Sequence, residues 1–322
     1  MKTRAISRCH GVIAVLGAVA TVWCGAAVSQ TAPTKTVTVI TNSTGGAPEV
    51  SMRMIVEKVK ENTGVNIVFD PRPGGAGAPA LQALKRSPND GYTVGVTYAS
   101  AISLNPFVQS GLDIDALKDY VPISNLITLG VIVSAREDFP AKNLKELVDM
   151  AKAKPESIRM GYAGAGNLVW LKMMEDRLGA KFTAVQFKSS NDSTALALGG
   201  HIDVYFDILG TLLAQKGKIK ALSFGGSSPS AKLPGVQLVR DVMPGVDFMS
   251  WFALMGPAGL APDRVAWFHR EFVKALRHPQ VTAVIENGGM DPLGNSPEEF
   301  ARALKSEVEQ NRDIVRKFKL QS

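Results

Sequence analysis

The sequence predicts a two-lobed α/β clamshell, each lobe a mainly parallel sheet flanked by helices. Three observations predict it. Short β-branched runs alternate with helix-like runs from residue 35 to about 99, the order expected of a parallel sheet. The same alternation starts again near residue 126 and continues to about 224. Three glycine-rich stretches, "NSTGGAPE" (42–49), "RPGGAGAP" (72–79) and "AGAGN" (163–167), each follow a predicted strand and precede a predicted helix. In open α/β folds such loops lie at the carboxyl edge of the sheet, where ligands bind.

The first alternation opens with "KTVTVIT" (35–41), an alternating run of β-branched residues and therefore a strand. A helix-like run follows to about Asn62 and stops at Gly64. "NIVFD" (66–70) is the second strand, the next helix runs to about Arg86, and "YTVGVTYA" (92–99) is the third strand. In the second alternation "LVDMAKAKP" (147–155) is helical, and "IRMGYAGAG" (158–166) is a strand entering a glycine loop. "NLVWLKMMEDRLG" (167–179) is a helix closed by Gly179. Then come strand "KFTAVQF" (181–187), short helix "STALALGG" (193–200), and strands "HIDVYFD" (201–207) and "KIKALSF" (218–224). "MSWFALMGPAGLAP" (249–262) is an apolar strand with Pro262 at the next helix start. Helices to about Leu276, over 280–287 and over 297–318 return to the first lobe. This assigns residues 30–126 plus 251–322 to the first lobe and 127–250 to the second.

Residues 1–29 read as an export signal: Lys2, Arg4 and Arg8, then the apolar "GVIAVLGAVATVW" (11–23), then small residues. Cleavage is expected just before Gln30. The apolar run is too short for a comfortable membrane span. Both cysteines, Cys9 and Cys24, fall in this segment, so the exported chain has no disulfide, no thiol nucleophile and no thiolate ligand. Losing the three basic residues of the signal leaves a formal charge of +4 out of +7. No lysine–arginine block or basic–aromatic stripe accompanies it, which argues against nucleic acid as a partner.

Catalytic candidates are poor. No HExxH, GxSxG or CxxC pattern occurs. His201, His269 and His278 remain after the signal and read as solvated or packed residues. Asp203 and Asp207 bracket one strand, where carboxylates more often cap or face solvent. No Walker loop is present, and "GAGNLV" (164–169) has Val169 where a dinucleotide fingerprint needs a third glycine. One glycine loop is explained by turn geometry alone. Three of them opening helices on one cleft suit an anion held by backbone N–H groups. Trp251 and Phe252 read as core, and Lys188 as either an exposed lysine or a neutralising partner for a carboxylate.

The stretch "RPGGAGAPALQALKRSPNDGYTVGV" (72–96) resembles the signature of the tripartite tricarboxylate transporter receptors, the Bug-type solute-binding proteins. The likeness extends through Gly45-Gly46 with Arg53, "LKELVDMAKAKP" (144–155), "YAGAGN" (162–167), "GHIDVYFD" (200–207), "KLPGV" (232–236) and "SWFALMGPAGLAP" (250–262). The resemblance implies a periplasmic-binding-protein fold of the Venus-flytrap type. It also implies a small organic acid bound between the lobes, delivery to inner-membrane transporter subunits, no cofactor and no catalysis, with the receptor a monomer. By position it implies ligand contacts at Asn42, Ser43, Thr44, Gly45, Gly46, Gly74, Gly75, Tyr98, Ala99, Ser100, Gly164, Ala165, Gly166, Asn167, Phe187, Lys188 and Asp207. The family usually has an aromatic ring where Asn42 stands, an aspartate at Glu49 and a helix aspartate near Leu196. Loss of that last acid argues against an amino-acid ligand, and Asn42 adds a hydrogen-bonding group in place of the ring, which points to a ligand with a carboxylate at one end and a polar or aromatic body. A sensor that docks on a signalling receptor, or an exported enzyme on the same architecture, are the competing readings.

Overall fold

The computed structural model describes residues 32–42, 45–187 and 192–321; the export signal, Ser43, Thr44 and Lys188 lie outside them. The chain opens with β1 (Val37–Thr41), α1 (Gly46–Thr63), β2 (Ile67–Pro71), a single 3₁₀ turn at Gly75–Gly77, α2 (Ala78–Lys85) and β3 (Thr93–Tyr98). Two short helices follow, α3 (Ala99–Ser103) and α4 (Asn105–Val108). β1 runs between β2 and β3, parallel to both. α1 buries Met52, Ile55, Val56 and Val59, the i, i+3, i+4, i+7 spacing of a helix laid on a sheet.

Next comes β4 (Tyr120–Arg136), the longest strand. Beyond it lie α5 (Leu144–Ala153), β5 (Arg159–Tyr162), α6 (Gly164–Leu178), β6 (Thr183–Gln186), α7 (Ser193–Leu198) and β7 (Val204–Ile208). Then follow α8 (Leu209–Ala214), β8 (Ile219–Phe224), α9 (Val239–Val242) and β9 (Met249–Pro257). The chain ends with α10 (Pro262–Leu276), α11 (Pro279–Asn287), β10 (Asp291–Pro292) and α12 (Pro297–Phe318). The strand path is β2-β1-β3-β9-β4-β7-β5-β6, with β8 and β10 also paired to β4.

The two-lobed α/β fold is therefore present, but its sheets are mixed rather than mainly parallel. The βαβ units pair in parallel. Every pairing made by β4 or β9 is antiparallel. β4 is the reason. From Tyr120 to Gly130 it pairs with β9, and from Val131 to Arg136 it pairs with β7 and β8. One strand thus serves both sheets, and a strand returning beside it must run the other way. Two cores result. One gathers Val37, Val39, Ile55, Val94, Trp267, Phe268 and Phe272 against α1 and α10. The other gathers Val131, Val133, Leu144, Leu171, Met174, Phe206 and Phe248.

Candidate functional site

At the carboxyl edge of the first sheet, Thr41 pairs with Pro71 on one side and Val96 on the other. Asn42 and Thr97 therefore share the next row. Asn42 is 8% exposed. Its Nδ2 donates to Thr97 Oγ1 at 3.2 Å, and its Oδ1 has no hydrogen-bond partner among the described residues. The glycine turn closes directly onto this amide. A Cβ at Gly77 would stand 2.7 Å from Asn42 Nδ2 and 2.9 Å from Ala101 Cβ, and the φ there is +94°, so only glycine fits. Asn105 Nδ2 ties the turn down by donating to the Ala76 carbonyl at 2.7 Å. Gly74 and Gly75, the positions expected to touch a ligand, are exposed, while Gly77 is buried.

Helices α1, α2 and α3 begin at this edge after Gly45, Gly77 and Tyr98, and none has a side-chain cap. α6 and α8 begin likewise at the edge of the second sheet, after Ala163 and Ile208. Away from the cleft, α5, α11 and α12 are capped by Asn143, His278 and Ser296. First-turn N–H groups lack intrahelical acceptors and carry the positive end of the helix dipole. Uncapped starts can receive an anion, though α10 is uncapped as well.

In the second lobe Gly161 lies opposite Val185 and Tyr205. Two residues further on, Ala163, Phe187 and Asp207 form one row at the carboxyl edge. The Phe187 amide continues the ladder to the Tyr162 carbonyl at 3.1 Å, and its ring covers Gly161, where a Cβ would lie 2.9 Å from it. Asp207 is 7% exposed. Its Oδ1 accepts the Ile208 amide at 2.7 Å, while Oδ2 makes no regular hydrogen bond among the described residues. Burial pushes this carboxyl up to about 6, against the lowering influence of the Ile208 amide and the Tyr205 and Thr211 hydroxyls.

The sequence predicts a loop over Gly164, Ala165 and Gly166; they are instead the first turn of α6, with Asn167 behind them. Ala163 stays extended as the residue before the helix, so the strand passes into the helix without a loop. This brings Gly166 against Ser100 at the start of α3: a Cβ on Gly166 would lie 3.3 Å from Ser100 Cβ. The lobes also meet where Gly288 and Gly289 back onto Leu209 and Gly210. A third contact is the cluster of Leu104, Val169 and Val315 beside the Lys317–Asp176 ion pair at 2.5 Å.

Beneath α3 lies a buried polar group that sequence reasoning missed. Ser103 Oγ donates to Glu307 Oε1 at 2.7 Å, and Trp251 Nε1 donates to Glu307 Oε2 at 2.7 Å. Asn311 Nδ2 adds a bond to Ser103 Oγ at 2.9 Å. Burial raises the Glu307 carboxyl, and the Ser103 and Trp251 donors oppose that shift. The indole N–H of a core tryptophan was the available signal, because it needs an acceptor. Tyr98, next to Ala99, has its ring 6.2 Å from that of Phe252.

The remaining titratable candidates have structural partners. Asp203 accepts from the Arg159 backbone amide at 2.8 Å and from its guanidinium at 3.0 and 2.7 Å. His278 Nδ1 caps α11 at the Gln280 amide, and His269 Nε2 meets the Asn295 carbonyl at 3.1 Å. His201 is exposed.

Comparison with known proteins matches residues 51–320 to the tripartite tricarboxylate transporter family receptor. The chain is 26% identical over 287 residues to a UPF0065 protein of Cupriavidus necator, covering 88% of this chain and 86% of the relative. A solved structure described as a periplasmic transporter has a TM-score of 0.79 at 26% identity, with 90% of this chain and 99% of that one aligned. An R. palustris protein solved with adipate also reaches a TM-score of 0.79, at 22% identity, over 88% of this chain and 97% of that one.

Proposed function

Because the chain belongs to the tripartite tricarboxylate transporter receptor family, we propose that it captures a small organic acid in the periplasm and delivers it to inner-membrane transporter subunits. The observation that carries this reading is the meeting of two uncapped helix starts, α3 and α6, at Ser100 and Gly166. A carboxylate between them would accept N–H groups from both lobes at once. It would favour the closed arrangement by its differential affinity for it. The adipate held by the structural relative is a molecule of this class.

The lobes are taken as the two halves on either side of the partner change in β4 between Gly130 and Val131. β9 makes the return crossing, since the Phe248 carbonyl just before it accepts the Val131 amide at 2.7 Å. The crossings are backbone strands, so lobe movement would be a hinge at these positions. Capture and release need no general base, and the proposed activity is binding.

The test is thermal unfolding of the chain from Gln30 onward, first unfolded and refolded to strip carried ligand, against di- and tricarboxylates, hydroxy acids, aromatic acids and amino acids. A ligand at a hundred times its Kd adds about 2.7 kcal/mol, a rise of several degrees at about 2–4 °C per kcal/mol. A rise with one acid class, and the acid recovered unchanged, supports capture. No rise with any acid, or a chemically altered acid, overturns it.

A further inference from the structure

Both sheet edges present a buried acceptor that makes no regular hydrogen bond among the described residues: Asn42 Oδ1 in the first lobe and, in the second, Asp207 Oδ2, whose carboxyl has the Tyr205 and Thr211 hydroxyls nearby. Both residues are more than nine-tenths buried. A buried acceptor left unmatched is costly, and it persists where something absent from the free protein completes it. A ligand's carboxylate can accept from the backbone N–H groups of the helix starts, but being an acceptor itself it has nothing to give these oxygens. Acceptors require donors.

The geometry points to a ligand that carries an O–H or N–H donor in addition to its carboxylate, with Asp207 Oδ2 receiving that donor. This rests on the reading of the cleft as a carboxylate site and narrows its substrate class. Three features single out Asp207. Its Oδ1 is already fixed by the Ile208 amide at 2.7 Å, so the carboxylate is oriented rather than free to turn. Its row-mates are Ala163, which leads into α6, and Phe187, so Oδ2 belongs to the edge from which α6 offers its N–H groups. It has no ion-pair partner among the described residues, whereas Asp203 on the same segment is fully engaged by Arg159. An acid lacking a donor leaves Asp207 Oδ2 with only the neighbouring Tyr205 and Thr211 hydroxyls. An acid carrying a hydroxyl or ammonium completes it. Asn42 Oδ1 offers the same service from the opposite lobe. Its Nδ2 is committed to Thr97, which holds the amide oxygen out of that bond.

Matched pairs of acids test this on the unmodified chain from Gln30 onward: malate against succinate, 3-hydroxybutyrate against butyrate, and aspartate against succinate. Affinities are read by calorimetry. The expected result is tighter binding of the donor-bearing member by about tenfold or more, the discrimination typical of a hydrogen bond to a charged group. The malate and aspartate arms separate hydroxyl from ammonium. Asp207→Ala should bring the members of each pair within about threefold, by weakening the donor acid and sparing its deoxy partner. Asp207→Asn, nearly isosteric, keeps an acceptor and should retain part of the preference should the alanine variant fail to fold. Equal or tighter binding of the deoxy acids overturns the proposal and leaves carboxylate capture standing. Failure of every acid to bind removes the carboxylate reading and this proposal with it. An unchanged preference in Asp207→Ala assigns the donor to another residue and also overturns it.

Discussion

Ser100 and Gly166 lie directly against each other: a Cβ placed on Gly166 would lie 3.3 Å from Ser100 Cβ and 3.5 Å from its Oγ. Ser100 is in the first turn of α3 and Gly166 in the first turn of α6, so the contact joins the lobes at the two helix starts. Gly166→Val should therefore obstruct closure without disturbing either core. Overpacking of a tight contact costs about 1–3 kcal/mol, so affinity for the acid ligand should fall about tenfold or more. The unliganded melting temperature should move little, because an open clamshell relieves the clash. Equal loss of stability with and without ligand would show that the contact is not specific to the closed form.

Asp207 gives the protein a pH signature with a definite sign. Its carboxyl is raised to about 6 in the folded chain by burial, from about 3.9 in an unfolded chain. A raised acid binds its proton more readily when folded. Its contribution to stability is thus fully present below about pH 4 and is lost as pH rises through about 6. A shift of this size corresponds to at most about 3 kcal/mol. Urea titrations at pH 4.5 and 7.5 should show wild type losing stability relative to Asp207→Asn over that window. A difference between the two proteins that stays constant with pH would place the Asp207 carboxyl near its ordinary range. Ligand binding should run the other way. An acid whose donor needs the ionised carboxylate should bind about tenfold tighter at pH 7.5 than at pH 5, as the competent fraction rises.

The late helices were legible because their ends are written locally. Pro262, Pro279 and Pro297 occupy first turns, Ser296 and Glu299 form a capping box, and each helix stops where predicted. β4 was not legible. "YVPISNLITLGVIVSAR" has no alternation, since it is covered on both faces and shifts register near Pro122 and Asn125. Its role depends on partners more than a hundred residues away in β9. The glycine stretches could be read as helix starts, but not which glycine meets what: Gly77, not Gly74 or Gly75, closes on Asn42. Asp203 and Asp207 look alike in the sequence. Only the fold brings Arg159 to the first and leaves the second's Oδ2 without a regular hydrogen bond among the described residues.

Trp251 and Glu307 link the core to the ligand edge. The indole N–H and the Ser103 hydroxyl both donate to one carboxylate beneath α3. Trp251→Phe preserves most of the ring packing against Phe300 and removes one donor. It should destabilise the fold by about 1–3 kcal/mol, the cost of a buried charge-assisted bond. Glu307→Ala strands the indole N–H, leaves Ser103 Oγ only the Ala99 carbonyl at 2.8 Å, and should cost more. Because Ser103 ends α3 and Ser100 lies in its first turn, Glu307→Ala should also weaken ligand binding in a protein that remains folded at low temperature. Intact affinity in that variant would separate the network from the site.

The Arg159–Asp203 pair should carry stability alone. Asp203 accepts three hydrogen bonds from Arg159, one from the backbone amide and two from the guanidinium. Burial by itself would raise this carboxyl, but the Arg159 bonds and charge outweigh it and hold it below the usual range. A depressed acid stabilises the fold above its unfolded pKa and loses that contribution as pH falls through the folded value. The window therefore lies below about pH 4, opposite in sense to that of Asp207. Asp203→Ala should lower stability at pH 7 by about 2 kcal/mol, given that the guanidinium is partly exposed and screened. The loss should shrink toward pH 3, and affinity for the acid ligand should be unchanged. Measured side by side, the two variants should differ: Asp203→Ala lowers stability and spares binding, whereas Asp207→Asn alters the pH dependence of both stability and binding. A loss of ligand affinity in Asp203→Ala equal to that in Asp207→Asn would mean that the strand acts as a unit and that the unmatched Oδ2 is not what sets selectivity.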